Sequence, residues 1–255
     1  MGRKDTHLTC IEDSVYKLLV WAEHDVSTLL EEASYCFRIL SFLGAPVGFT
    51  VNWWRIPKDR VLKPGLFPTR AEVNGGWAYR GKPAVWIYRL EEWDRVLIHE
   101  CIHALDWDVH PSANVKSCLE AAQSGQLMDA LGEAATEFFA EWFWCIIHSP
   151  VSDKTGLTWA KQKAWQLNQA YTIIARNGGR GWSEDTNIFA YYVLKAALAQ
   201  EDTEILLSWH AGVENADRWC DLWQKYKPAF YHKAAMLKDK NLKTVSMRMT
   251  NPALE

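Results

Sequence analysis

The chain has 255 residues, of which 49% are hydrophobic and 23% are charged, and these proportions are typical of a folded globular protein. Its 28 basic and 31 acidic side chains give a formal net charge of −3. Dedicated nucleic-acid-binding domains are usually strongly basic, so the charge argues against nucleic acid as a partner.

The predicted secondary structure changes along the chain from mixed to helical. Apolar residues at helical spacing predict a helix over 11–43, which Gly44–Ala45–Pro46 ends. β-branched and aromatic residues predict a strand over 47–56, prolines and glycines predict a loop over 57–76, and two short β-like runs predict a hairpin over 77–89. Further helices are predicted over 92–107, 126–147, 156–176, 185–200 and 214–237.

Strands that come early and helices that come late predict an α+β fold, with a small N-terminal sheet and a mainly helical C-terminal half. We expect one domain over 1–255 with two lobes that share a cleft. The first lobe, about 1–108, holds the first helix, the sheet and the helix at 92–107. The second lobe, about 109–255, is helical.

The six cysteines form no CxxC pair, and most of them lie in apolar runs. We therefore expect reduced, mostly buried thiols, as in a cytoplasmic protein. No apolar stretch reaches the roughly 18 residues needed to cross a bilayer, and the N-terminus has no apolar signal core. Gly2 and Thr6 fit the N-myristoylation pattern, although Arg3 and Lys4 make the match a weak one.

The strongest chemical signal is an HExxH motif at His99-Glu100-Cys101-Ile102-His103. On a helix, residues four positions apart project from one face, so both imidazoles can reach one Zn²⁺ at about 2.0–2.1 Å. Glu100 lies beside that face, where it can take a proton from a water at the metal. The alternative is a helix with two structural histidines. Its many apolar residues oppose this, because two imidazoles and a carboxylate are costly to bury without a common partner.

A catalytic zinc site needs a third protein ligand, and the helix predicted over 126–147 offers candidates. Glu133, Glu137 and Glu141 are spaced by four and therefore share one stripe of a very apolar helix. Three carboxylates on a buried stripe destabilise one another unless a cation compensates them, and zinc would do so. The alternative is an acidic stripe that faces solvent.

HExxH followed by a glutamate on a second helix resembles the gluzincin zinc metallopeptidases. The segments HECIHALD and TEFFAEWF together are similar to the anthrax lethal-factor type of gluzincin domain, over roughly residues 93–147. The resemblance implies a zincin-like fold, a zinc cofactor and hydrolysis of peptide bonds in a peptide or protein substrate.

The same resemblance implies roles for particular residues. Glu137 is the third zinc ligand, with Glu133 as a rival because Glu133 and Glu137 also satisfy E-x-x-x-E. Glu141 is the carboxylate that orients a ligand histidine, as is often found around zinc. Asp106, just after the HExxH helix, is a second candidate for that supporting role.

The expected chemistry is hydrolysis with Glu100 as general base and with one further donor to the oxyanion. The lethal-factor type has a tyrosine shortly before the ligand glutamate, but residues 123–136 contain none. The best replacements are Tyr191 and Tyr192, because a tyrosine hydroxyl in so apolar a helix needs a partner.

The hairpin at 77–89 is a candidate edge for an extended substrate, through strand 84–89, with Trp77, Trp86 or Tyr88 shaping pockets. The chain has 15 tryptophans, and for most of them we favour a place in the core over an aromatic substrate groove.

Two other functions stay open. One is a non-catalytic binding or assembly module that keeps the zincin fold, against which the intact Glu100 argues. The other is a different zinc amidohydrolase. A deformylase-like site would need a cysteine ligand, and Cys101 points away from the face of His99 and His103.

Overall fold

The computed structural model describes residues 7–22, 28–110, 113–114, 117–118, 130–149, 155–178, 186–202, 218–238 and 245–254. It is a mixed α/β structure with a small N-terminal mixed sheet and several helices, as the sequence predicts. The chain divides into two compact units. The first comprises residues 1–59 and 75–107, and the second comprises residues 60–74 and 108–255. Gly2 and the starts of the helices predicted at 126, 185 and 214 lie outside the described residues.

A five-stranded sheet forms the centre of the first unit. Its strands are β1 (His7–Glu12), β2 (Tyr16–Ala22), β3 (Phe49–Trp54), β5 (Gly76–Ala78) and β6 (Ala84–Ile87). Their order is β1-β2-β3-β6-β5, with β2, β3 and β6 parallel and both edge strands antiparallel to their neighbours. The expected hairpin is thus confirmed as β5 and β6. However, the edge strand is β5 and not the segment at 84–89.

Two helices cover one face of this sheet. Helix α1 (Leu29–Phe42) contacts β2, and α3 (Trp93–Ala104) contacts β5, β6 and α1. Alternate strand residues on the covered face are buried, among them Leu18, Val20 and Val51. This period of two follows from strand geometry, because successive side chains of a strand point to opposite faces of the sheet.

The prediction of one helix over 11–43 is wrong. Residues 7–22 form the β1–β2 hairpin, and among the residues of this segment that the structure describes only Leu29–Phe42 forms a helix. The burial pattern of β2 alternates strictly, a pattern that the helical reading of these apolar residues missed. The turn is set by Asp13, whose carboxylate accepts bonds from the backbone N–H groups of Val15 and Tyr16 at 2.7 Å each. Those backbone bonds lower the pKa of Asp13.

Helices dominate the second unit. The longer ones are α4 (Ala130–His148), α5 (Thr155–Asn177) and α7 (Arg218–Lys238). A π-helical segment, Phe189–Leu194, leads into the short α6 (Lys195–Leu198). The predicted loop at 57–76 holds β4 (Val61–Leu62) and α2 (Arg70–Val73), and β4 pairs antiparallel with β7 (Val245–Ser246). Within the described ranges, no helix is both long enough and apolar enough to cross a membrane.

The prediction that every cysteine is reduced is also wrong. Cys118 and Cys220 form a disulfide, with their Cα atoms 6.3 Å apart and a sequence separation of 102. Cys10, Cys36, Cys101 and Cys145 are free thiols, and the last three are buried. Burial raises the pKa of each of these three thiols, which disfavours a reactive thiolate.

Candidate metal centre

The HExxH residues lie on α3, in the first unit. The helix is buried on nearly all sides, and its buried apolar residues include Leu97, Ile98 and Ile102. His99 and Glu100 are each 6% exposed, whereas His103 is half-buried. The motif therefore combines two buried polar groups with one that reaches the surface.

The structure brings the three polar side chains together. The Nε2 atoms of His99 and His103 are 3.0 Å apart, and one ligand atom from each of His99, Glu100 and His103 lies within 4.8 Å of the others. Two Zn–N bonds of about 2.0–2.1 Å at a tetrahedral angle place the nitrogens about 3.3 Å apart. The donor types are those that zinc uses, but two zinc ligands would require the nitrogens to move apart by about 0.3 Å. The 3.0 Å distance also fits a hydrogen bond between the two neutral rings.

Glu100 is confined by the edge strand of the sheet. A Cβ atom added to Gly76 on β5 would lie 2.6 Å from the Trp86 carbonyl oxygen, 2.9 Å from Val96 Cγ1 and 3.0 Å from Glu100 Cγ. Such distances leave no room for a side chain. Glycine at this position therefore allows the edge strand to pass directly against the proposed general base.

An aromatic stack covers the opposite face of the sheet. Near-parallel rings pair Trp21 with Trp54 at 4.7 Å between centroids, Trp54 with Trp77 at 5.7 Å, and Trp77 with Trp86 at 5.7 Å. Such cross-strand pairs stabilise neighbouring strands. The stack therefore holds β5, and Gly76 with it, in place beside α3.

Asp106 follows the C-terminus of α3 in a left-handed conformation, with φ of 59°. Its carboxylate pairs with Arg80 Nε of the β5–β6 hairpin at 3.2 Å, and both side chains are more than half exposed. This exposed ion pair joins the hairpin to the end of the HExxH helix. A supporting role for Asp106 at the metal stays a prediction.

The glutamates at 133, 137 and 141 lie on α4 in the second unit. Glu137 is 2% exposed and Glu141 is fully buried, whereas Glu133 is half-buried. The alternative of a stripe that faces solvent is therefore wrong for the two later residues. The assignment of Glu137, or its rival Glu133, as the third ligand stays a prediction.

Glu141 takes part in a buried network that the sequence did not reveal. Its Oε1 atom forms an ion pair with Lys195, which is also fully buried. Its Oε2 atom accepts hydrogen bonds from Gln162, at 2.9 Å, and from Gln166. A lysine thus compensates the negative charge of Glu141, a role that the glutamate stripe by itself predicts for zinc. The sequence does carry a signal for this network, which is a single lysine within the apolar run from Ile188 to Leu198.

The two candidate oxyanion donors differ in their surroundings. The Tyr192 hydroxyl is buried and donates to the Met247 carbonyl at 2.8 Å. Tyr191 is only half-buried. The role of Tyr191 or Tyr192 as oxyanion donor stays a prediction.

Comparison with known proteins adds no family. The chain matches no protein-family model, and neither a curated protein nor a solved structure is detectably similar to it.

Proposed function

We propose that the protein is a zinc-dependent metallopeptidase with a zincin-like catalytic core. The observation that carries this proposal is the convergence of His99, Glu100 and His103 within 4.8 Å on one largely buried helix. Two nitrogen donors and an adjacent carboxylate are the combination that HExxH hydrolases use. A zinc ion held there would lower the pKa of a water ligand toward neutrality and would polarise a substrate carbonyl.

Glu100 is the general base in this proposal. One carboxylate oxygen accepts the proton of the attacking water and then delivers it to the nitrogen of the leaving amine. The packing of Gly76 against the Glu100 side chain limits the positions that this carboxylate can take. Low exposure strengthens its hydrogen bonds by excluding water.

The remaining roles follow from the resemblance and from burial. Glu137, a buried carboxylate on α4, is the proposed third ligand. The role of Glu141 in orienting a ligand histidine stays a prediction of the resemblance, and its bonds to Lys195 and the two glutamines help to fix α4. Tyr191 and Tyr192 are the candidate oxyanion donors. The substrate is a peptide or protein segment that extends along β5, the edge strand beside Glu100.

A second candidate function is a binding or assembly module without turnover. Two observations favour it: Lys195 compensates Glu141 without any metal, and the 3.0 Å separation of the histidine nitrogens also suits a direct hydrogen bond. In that case the polar cluster on α3 is structural. Metal content and turnover separate the two functions.

The decisive experiment measures zinc per chain and peptide cleavage in three variants. We expect about one zinc per chain in the parent, retained zinc without cleavage in Glu100→Gln, and loss of zinc in His103→Ala. His232→Ala is the matched control, because His232 is an exposed histidine on α7. Absence of stoichiometric zinc after purification without chelator would contradict the proposal. Zinc binding without cleavage of any peptide would favour the binding module.

A further inference from the structure

The edge strand β5 has two very different faces. Gly76 and Ala78 lie opposite the buried Ile87 and Val85 of β6, on the face that α3 covers. Trp77 lies opposite Trp86, on the other face. Among the described residues, no strand pairs with the outer edge of β5. An added strand would therefore lie beside the smallest side chains of β5 on the face of Glu100 and beside large rings on the other face.

The rings on the aromatic face are exposed but held in place. Trp77 is 41% exposed and Tyr79 is 62% exposed. Trp77 stacks on Trp54 and Trp86, and Tyr79 packs edge-on against Trp86 at 5.6 Å between centroids. Rings fixed in this way lose little conformational entropy when they bind a further side chain.

We infer that Trp77 and Tyr79 determine specificity by selecting an aromatic side chain in an extended peptide bound along β5; this inference rests on the proposed function. Successive side chains of an added strand point to alternate faces. A side chain directly opposite one of these residues lies with its Cβ about 4.5–5.5 Å away, which is within reach of ring packing.

Local charge favours an aromatic residue over a cationic one. The hairpin turn that follows Tyr79 carries Arg80 and Lys82. A lysine or arginine in the peptide could interact with the rings, but it would also be repelled by Lys82, whereas the charge of Arg80 is compensated by Asp106. An uncharged ring gains the stacking contact without that repulsion.

The alternation of side chains along an extended peptide also determines which peptide positions show the aromatic preference. Aromatic residues are selected at one peptide position, or at two positions that have one residue between them. The position between them lies on the face of Gly76, Ala78 and α3, away from the rings, so the rings do not select its side chain. We expect about a tenfold preference for Phe, Tyr or Trp over Ala at the selected position.

The test uses a mixture of random decapeptides with acetylated N-termini. Cleavage sites produced by the zinc-loaded parent are sequenced by mass spectrometry. The same mixture is equilibrated with zinc-loaded Glu100→Gln, and the bound peptides are sequenced. Both measurements are repeated with Trp77→Ala, Trp77→Phe and Trp21→Ala. Trp21 is the matched control because it belongs to the same stack but lies on β2, away from the edge strand.

Aromatic enrichment that is lost in Trp77→Ala and kept in Trp77→Phe and Trp21→Ala supports the inference. The same enrichment among bound peptides, without cleavage by the parent, supports the aromatic site and refutes the peptidase. Cleavage or binding with no aromatic preference, or with one that Trp77→Ala leaves unchanged, overturns the inference. A parent that neither binds nor cleaves the mixture overturns both proposals.

Discussion

Replacement of Gly76 by alanine tests the most confined part of the site. The new Cβ would lie 2.6 Å from the Trp86 carbonyl oxygen, whereas ordinary contacts begin at 3.4 Å. The strand would have to move by about 0.8 Å, and both the strand backbone and α3 resist such a shift. Overpacking of this kind typically costs 1–3 kcal/mol, and we expect about 2–3 kcal/mol because a carbonyl cannot rotate away.

The same substitution should impair catalysis more than stability alone explains. Relief of the 3.0 Å contact with Glu100 Cγ requires the proposed base to move. A misplacement of about 1 Å can reduce a rate about 100-fold. We therefore expect kcat/KM to fall by about that factor under conditions where Gly76→Ala is still folded.

Urea unfolding followed by far-UV circular dichroism measures the stability change. Gly156→Ala is the matched control, because Gly156 is exposed on α5 and a Cβ there meets nothing within 4 Å. We expect it to be neutral or slightly stabilising. Val96→Ala removes one clashing methyl, so Gly76→Ala should cost about 1 kcal/mol less in that background. A Gly76→Ala protein within about 0.5 kcal/mol of the parent would refute the packing argument.

Three further predictions concern the ion pair, the disulfide and the metal. Lys195→Met leaves the buried Glu141 carboxylate without its cation, so we expect the free energy of unfolding in urea to fall by about 3–5 kcal/mol. Adding Glu141→Gln should restore part of this stability. An unchanged unfolding midpoint in Lys195→Met would contradict the network. Reduction of the disulfide between Cys118 and Cys220, which closes a loop of about 100 residues, should destabilise the protein by about 4–5 kcal/mol. Thiol titration of the unfolded protein without reductant should find four free thiols among the six cysteines, and six free thiols would show that the bond is absent. Excess zinc at about 100 times its Kd should stabilise the parent by about 2.7 kcal/mol and should leave His99→Ala unchanged in thermal unfolding, whereas an equal rise in both would place the metal elsewhere.

Some elements of the fold could be predicted from the sequence because they depend on local patterns. The hairpin at 77–89 and the helix at 92–107 have β-rich and helical signatures of their own, and both appear in the structure as β5–β6 and α3. The prediction of a single helix over 11–43 was wrong because it also relied on a local pattern. The apolar residues of this segment satisfy the helical and the alternating pattern at once, and only pairing with β3 and burial against the helices select the strand.

What the sequence alone determined is the meeting of His99, Glu100 and His103, because a spacing of four on any helix places two imidazoles on one face. The tertiary structure decided what no local pattern encodes. It set the approach of Gly76 to Glu100, the pairing of Lys195 with Glu141 across 54 residues, and the disulfide across 102. These contacts join residues far apart in sequence, so their existence depends on how the helices and strands pack and not on the period of any one of them.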